Sequence, residues 1–519
     1  MSQSNSLRPR NIRDNIYGDV VLNPLQGAVI DTRVFQRLRY IRQNGLLHFV
    51  FPGAVHSRFV HSIGAMHLAS KAFRTLFPAY PTKIAARTKQ PEAYVGTCFE
   101  LAALLHDVGH CAFSHSIESV RSRWTGSPQE ETFVPPPERL PILWGDEPLE
   151  EWWQNLLTTH KAKYPDGTNP PPEKHEGIGL LLLYKIFENE KVSGAALECL
   201  CVPGDHLRDD VLAILTGYTA VSKSFQEHAA VLLKNVDGSG SPSKDKAGER
   251  LARMLHDLVS GTLDVDRLDY LIRDSRLAGA SYGICDADLL LGALTLRRID
   301  GTELVCLHER AADALDDMLW SRFQLYVQVL EHKTNVILNA MLRIAIPELV
   351  KEQAIKRPER FHELICFTDD YVLSNAIRKA MELPDTSGSV WARALVDRGL
   401  PRYLGWIDIT TEDDDVDKID KAKGDERDGL IRAKVLSHFH PQISALNARE
   451  DNVHWSESRI DVVKMGGPLP LILRKNKISG AFEPIKPGER LTLLKNQGRA
   501  VPARVRRVHA FVEEHTSGG

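Results

Sequence analysis

Apolar residues recur at helical spacing through most of the chain. In the stretch CFELAALLHDVGH, Cys98, Leu101, Ala102 and Leu105 fall at i, i+3, i+4 and i+7. Comparable stripes over 178–189, 251–274 and 310–350 predict a mainly α fold. The pattern fails between Glu118 and His175, where Pro135, Pro136 and Pro137, the pair Trp152 and Trp153, and Pro170 to Pro172 rule out one continuous helix. This segment reads as an insertion. Two further breaks are polar, at 237–249 and 412–428, and read as surface loops. From about residue 455 the runs RIDVVKM, LPLILRK, RLTLLKN and RVHAFVEE are short and β-prone. The expected division is a helical core over 1–405 with insertions near 119–174 and 235–249, an acidic linker and helical extension over 406–454, and a small α+β lobe over 455–519.

Composition narrows the class. With 519 residues, 43% hydrophobic and 26% charged, the chain can bury one large core with attached lobes. The opening MSQSNSLRPRN lacks the apolar core of a signal peptide and no apolar run is long enough to span a bilayer, so a cytoplasmic protein without a membrane partner is expected. The seven cysteines show no CxxC spacing, and Cys199 and Cys201 sit in an apolar stretch; buried thiols are expected rather than disulfides or zinc. A net charge of −3 gives no global field for nucleic acid, which is not expected as the main ligand. Anion binding has to come from locally clustered Arg and Lys.

The candidate chemistry centres on His106 and Asp107, adjacent in LAALLHDVGH. A divalent metal at a hydrolytic site needs neutral imidazoles and carboxylates, with a position left for water or a substrate oxygen. His61 in HSRFVHSIG and Asp266 in DVDRLDYLIRD complete a set of two of each. Helices from remote segments can aim such groups at one centre. Any one of these histidines alone reads better as an ordinary core or surface residue; the ordered set outweighs that reading. If the helix continues past His106, His110 lies one turn beyond, and His115 and Glu118 share a face. Imidazoles backed by a carboxylate suit general acid chemistry on a phosphate ester. Arg58 and Arg267, beside candidate ligands, would bring positive charge to phosphate, with Tyr270 and Asp274 following at helical spacing. The plainer reading of both arginines is a surface ion pair.

At these residues the chain resembles a known family. DTRVFQRLRYIRQ, VFPGAVHSRFVHSIG, HDVGHCAFSH, DVDRLDYLIRD and the EHK at 331–333 stand in the order found in deoxynucleoside triphosphate triphosphohydrolases of the HD superfamily, and are most similar to the HD-domain core of the vertebrate members that carry a SAM domain. The resemblance spans roughly 8–405 outside the insertions, and the last lobe more weakly; no SAM domain is expected ahead of it. It implies a dNTP substrate, cleaved to deoxynucleoside and tripolyphosphate. It assigns His61, His106, Asp107 and Asp266 to one divalent metal per site (Mg, Mn or Fe), with further Mg accompanying the nucleotide. His110, Glu118 and His175 form the relay it implies, with His115 beside the α-phosphate, although His160 competes with His175. Arg58, Arg267, Tyr270, Asp274 and Arg322 would hold the triphosphate, and Gln43 the sugar 3′-hydroxyl.

The chain departs from the family at three of these places. Glu118 stands where the family has Asp, Leu330 where a Tyr packs on the deoxyribose, and Asn44 where the family is apolar. A buried amide could pair with a 2′-hydroxyl that an apolar wall would reject, so deoxyribose selection is less firmly implied than triphosphate hydrolysis. The resemblance also implies a homo-oligomer, with a tetramer favoured, switched by activating nucleotides. Asp31, Gln36 and Arg39 match guanine-reading positions, and Val50, Phe51, His332, Lys333, Arg398 and Arg402 match a second nucleotide's. Ordinary interface ion pairs are the alternative for these arginines. Two other functions stay open: an HD phosphohydrolase acting on nucleoside monophosphates or cyclic dinucleotides, and a nucleotide-sensing or nucleic-acid-binding protein with a structural metal.

Overall fold

The computed structural model describes residues 9–115 (except 82, 83, 85 and 86), 175–356 (except 218, 219, 235 and 238–245), 361–382, 386–409, 424–450 (except 447), 453–461, 469–475, 482–491 and 504–512. Residues 116–174, and with them the whole 119–174 insertion, Glu118, Trp152, Trp153 and His160, lie outside these residues.

The fold is mainly α. Helices α1 (Arg58–Leu76) and α2 (Pro91–Leu105) pack together at its centre. Every α2 residue from Ala93 to Leu105 is buried, because this helix is apolar on all sides and neighbours surround it. Helix α3 (His175–Phe187) follows the insertion. The expected stripe over 251–274 divides into a helix over Ala247–Ser260 and α4 (Val265–Ala278). Asp264 makes the break, since its side chain accepts from the Arg267 amide and caps α4. Helix α4 lies along α1. The stripe over 310–350 likewise divides into α5 (Ala312–Leu325), a π-turn over Tyr326–Leu330, and α6 (Lys333–Lys351) capped by His332.

A hairpin of β1 (Arg10–Asp14) and β2 (Gly18–Leu22) precedes the helices, turning at Gly18 with φ 76°. Strands β3 (Leu294–Ile299) and β4 (Thr302–His308) form a second hairpin. Strand β5 (Arg402–Ile409), helix α7 (Gly424–Ala445) and strands β6 (Val453–Asp461), β7 (Leu471–Lys475), β8 (Phe482–Ile485) and β9 (Arg504–Val512) are further described elements of the second half.

The strands beyond 453 divide between two sheets. Strands β7 and β8 extend the β3–β4 hairpin, with β7 parallel to β4, whereas β6 and β9 join β5 in an antiparallel sheet. Helix α7 covers that second sheet with Ile431, Val435, Phe439 and Ile443, four residues apart, against Val453, Val508, Ala510 and Val512. The chain from 455 is therefore not a self-contained sheet: one strand comes from 402–409, and two others belong to the core's sheet. Helix α7 also begins at Gly424, inside the stretch read as a loop to 428. Cys201 differs from expectation too. It caps a helix with φ 56° and is exposed, while Cys199 is buried. Among the described residues no helix is long and apolar enough to cross a membrane.

Candidate metal centre and active site

His61 projects from α1 and is fully buried. Its Nδ1 lies 2.7 Å from Asp269 Oδ2, while its Nε2 faces Asp266 Oδ1 at 3.0 Å, His106 Nε2 at 3.3 Å and Asp107 Oδ2 at 3.4 Å. His106 caps the end of α2, with Nδ1 2.8 Å from the Ala103 carbonyl oxygen and Nε2 3.4 Å from both Asp107 Oδ1 and Asp266 Oδ1. A carbonyl or carboxylate oxygen opposite Nδ1 requires the proton there, which leaves an electron pair on each Nε2. Two imidazole nitrogens and two carboxylates thus converge with no hydrogen to share, an arrangement that calls for a cation. Bonds of about 2.1 Å to one ion separate neighbouring ligands by roughly 3.0 to 3.4 Å, the spacing found here. The four residues predicted as ligands therefore come together and fit a divalent metal.

Electrostatics support the same reading. Burial alone would lower the His61 imidazole, but its bonds to Asp266 and Asp269 and the charge of Asp107 raise it to about 10. A proton thus takes the cation's place when no metal is bound. Burial would raise Asp107, yet Arg58 and the imidazoles of His106 and His110 hold it well below the usual carboxylate range. Asp266 is likewise held down by His106 and His61 against its burial.

After Leu105 the chain turns rather than continuing as helix, with Phe113 and Ser114 both at φ near 55°. His110 is consequently not one helical turn beyond His106. The turn still brings it in, with Nε2 3.4 Å from Asp107 Oδ1. His110 stacks on His175, ring centroids 3.8 Å apart at 13°, and His115 meets both rings edge-on at 4.6 and 5.2 Å. Three of the four expected relay and phosphate-side groups therefore form one cluster beside the metal residues. Burial, Arg58 and His175 lower the His110 imidazole to about 3, which makes it neutral at physiological pH and a proton acceptor rather than a resting acid.

Both groups open on one cavity of about 770 Å³, whose walls also carry Gln43, Arg58, Arg267, Tyr270, Asp274 and Arg322. All six residues expected to hold substrate thus share it. Arg58 is buried: its guanidinium pairs with Asp107, donates to Ser114 Oγ at 2.7 Å, and lies 3.4 Å from the Gln43 carbonyl oxygen. Its first partner is the buried candidate ligand Asp107 rather than solvent, so the surface ion-pair reading fails for it. Arg322 donates to Tyr270 Oη at 3.2 Å, and burial keeps that phenol above its usual range, hence neutral. Asp274 is paired with His56 Nε2 at 2.7 Å.

Similarity to known proteins agrees with this geometry. The family described as HD associated region matches residues 286–434. The chain is 28% identical over 338 residues to the deoxynucleoside triphosphate triphosphohydrolase SAMHD1 of Gallus gallus, covering 63% of this chain and 44% of that protein. It is 25% identical over 342 residues to an uncharacterized protein of Methanocaldococcus jannaschii, covering 66% and 50%. The chain spans about half the length of these curated relatives. A solved phosphohydrolase structure from Bacteroides thetaiotaomicron shares the fold, with a TM-score of 0.58 at 19% identity over 98% of this chain and 100% of that one. The chain is thus similar to HD-type phosphohydrolases.

The residues expected to hold activating nucleotides fall into two places. Asp31 is paired with Arg10 at 3.0 Å; nearby, Gln36 accepts from Arg39 Nε at 2.8 Å, and the Arg39 guanidinium lies over the Phe59 ring. Val50 and Phe51 close a 3₁₀ turn, where Phe51 meets His332; Lys333 lies over the Tyr403 ring, next to Arg402 at the start of β5. Arg398 adopts φ 56° in the turn before that strand.

Four buried residues of the site were not singled out from sequence. Asp269 orients His61, and His56 pairs with Asp274. Arg37 donates to the Val108 carbonyl oxygen at 2.5 Å. Asp369 accepts from the amides of Arg42 and Phe113, and its burial pushes its carboxyl up to about 6. The spacing DxxD of Asp266 and Asp269 carried a signal for the first; the others depend on contacts made only by the folded chain.

Proposed function

We propose that this protein is a metal-dependent nucleotide phosphohydrolase, and specifically one that converts a deoxynucleoside triphosphate to deoxynucleoside and tripolyphosphate. The observation that carries this reading is the shared cavity: the metal-type ligands His106, Asp107 and Asp266, with the fully buried His61 behind them, a three-imidazole cluster and the cations Arg58, Arg267 and Arg322 line one space. A single phosphate needs less positive charge than that. His61, His106, Asp107 and Asp266 would hold one divalent ion, which supplies charge neutralisation of phosphate oxygens and a polarised water.

The chain's own groups do the rest. Arg267, Arg322 and the neutral Tyr270 hydroxyl bind and orient the phosphate chain, each strengthened by burial away from water. Water attacks the α-phosphorus and the bond to the sugar 5′-oxygen breaks, while the proton that the attacking water loses passes through the His110, His115 and His175 cluster to that oxygen. Gln43 meets the sugar end. By the same reading the working form is a homo-oligomer whose activity rises when a guanine nucleotide engages Asp31, Gln36 and Arg39 and a second nucleotide engages Val50, Phe51, His332, Lys333, Arg398 and Arg402. The test is product analysis of the purified protein with each dNTP and NTP, singly and in mixtures, in Mg²⁺, Mn²⁺ or Fe²⁺. Tripolyphosphate supports the proposal. Release of orthophosphate or pyrophosphate alone would redirect it to another HD phosphohydrolase activity.

A further inference from the structure

We propose that the N-terminal hairpin is a working part of the metal centre: Asp14, at the end of β1, positions the ligand His61 through Arg273 and Asp269, although no hairpin residue belongs to the ligand set. The contacts form a continuous chain. Arg273 Nη2 lies 3.0 Å from Asp14 Oδ2, its Nη1 donates to Asn15 Oδ1 at 3.1 Å, and its Nε and Nη2 donate to the two oxygens of Asp269 at 2.8 and 2.9 Å. Asp269 Oδ2 then lies 2.7 Å from His61 Nδ1. Asp14 is itself fixed, because its Oδ1 accepts from the amides of Ile16 and Tyr17 and closes the hairpin turn.

Burial makes this chain rigid. Arg273, Asp269 and His61 are each fully buried and Asp14 nearly so. A guanidinium in such a place needs carboxylates on more than one side, and its planar fork fixes where they lie. Asp269 cannot tilt without breaking both of its bonds to Arg273. The packing leaves no slack either: a Cβ on Gly64 would stand 1.9 Å from Asp269 Oδ1 and 2.4 Å from Arg273 Nη2. The glycine of the HSIG motif is thus the space into which this ion pair fits. A carboxylate behind a ligand histidine sets the ring's tautomer and aim, so the hairpin reaches the ligand nitrogen through two intermediates.

The inference rests on the metal assignment made above, and the experiment separates the two. Metal-free full-length protein is titrated with Co²⁺, following visible absorption, for wild type, Asp269→Asn, Asp14→Asn, Asn15→Ala and Glu303→Gln. Glu303 serves as control, since it is equally buried and paired with Arg250 and Arg298 away from the site. Asp269→Asn should weaken Co²⁺ binding by about 10- to 100-fold, and Asp14→Asn by about tenfold with a shifted spectrum. Asn15 is exposed, so Asn15→Ala should fold even if Asp14→Asn does not, with a smaller change in the same direction. Glu303→Gln should lower the melting temperature without moving the spectrum. Wild type that binds no Co²⁺ would remove the metal assignment itself. Wild-type affinity and spectrum in the hairpin variants, or an equal loss in Glu303→Gln, would overturn the hairpin's role.

Discussion

Gly109 lies against the backbone of His175: a Cβ there would stand 1.8 Å from the His175 carbonyl oxygen and 2.4 Å from the Gly179 amide nitrogen. Only glycine lets the turn after His106 and Asp107 press onto α3, and that approach is what stacks His175 on His110. Gly109→Ala should therefore push α3 outward and separate the two imidazoles. Displacement on the order of 1 Å at a reacting group costs roughly a hundredfold in rate. Turnover and metal content measured on the same preparation should show that loss with the metal retained; unimpaired turnover would remove the stack from the mechanism.

His110→Ala should lower turnover by about 10²- to 10⁴-fold, the usual contribution of a positioned proton-transfer group. Metal stoichiometry should hold, since His61, His106, Asp107 and Asp266 are untouched. Glu118→Gln should act in the same direction more mildly. A loss of metal in His110→Ala as great as its loss of activity would move His110 from the relay to the ligand set.

Acid and alkali should destabilise the metal-free protein for opposite reasons. His110 is held at about 3, so as pH falls from about 6.5 the unfolded chain binds a proton that the folded chain refuses, and stability declines. His61, raised to about 10 without metal, contributes stability that is complete below about 6.5 and is lost as pH rises through 10. A bound metal ion should abolish the alkaline loss, because it replaces the proton on Nε2. Urea unfolding at acid, neutral and alkaline pH, with and without Mn²⁺, reads both arms. An alkaline loss that persists with metal bound would contradict the assignment of His61.

The convergence of His106, Asp107, His61 and Asp266 was legible because each lies in a short, dense motif whose chemistry is stated by residue type. The mainly α fold was legible for a similar reason: helical periodicity is local. What was not legible depended on where helices stop. The stripe through Leu105 carries no sign that the helix ends at His106, and the tight turn that redirects His110 is set by contacts with α3 and with Asp369, 256 residues away from Phe113. The strands after 453 were recognised as β-prone, but their division between two sheets is a long-range pairing that alternation does not encode. Arg58 showed its charge in sequence and hid its partner, Asp107.

The proposed selection of a nucleotide sugar can be tested at the cavity wall. Leu330 and Asn44 both line the cavity, and Asn335 Nδ2 holds the Leu330 carbonyl oxygen at 2.8 Å, fixing that wall. Leu330→Tyr should raise the ratio of kcat/KM for a dNTP over its matching NTP, by about tenfold for one added packing contact. An unchanged ratio would take Leu330 out of substrate selection.

The central claim, that His61, His106, Asp107 and Asp266 hold the ion required for triphosphate release, is met most directly by phosphorus NMR of the products alongside metal analysis of the same samples. Wild type should contain one divalent ion per chain and release tripolyphosphate from a dNTP. Asp107→Ala and His106→Ala should retain the fold, lose the ion and release nothing. Tripolyphosphate formed at the wild-type rate by a metal-depleted double variant would contradict the account.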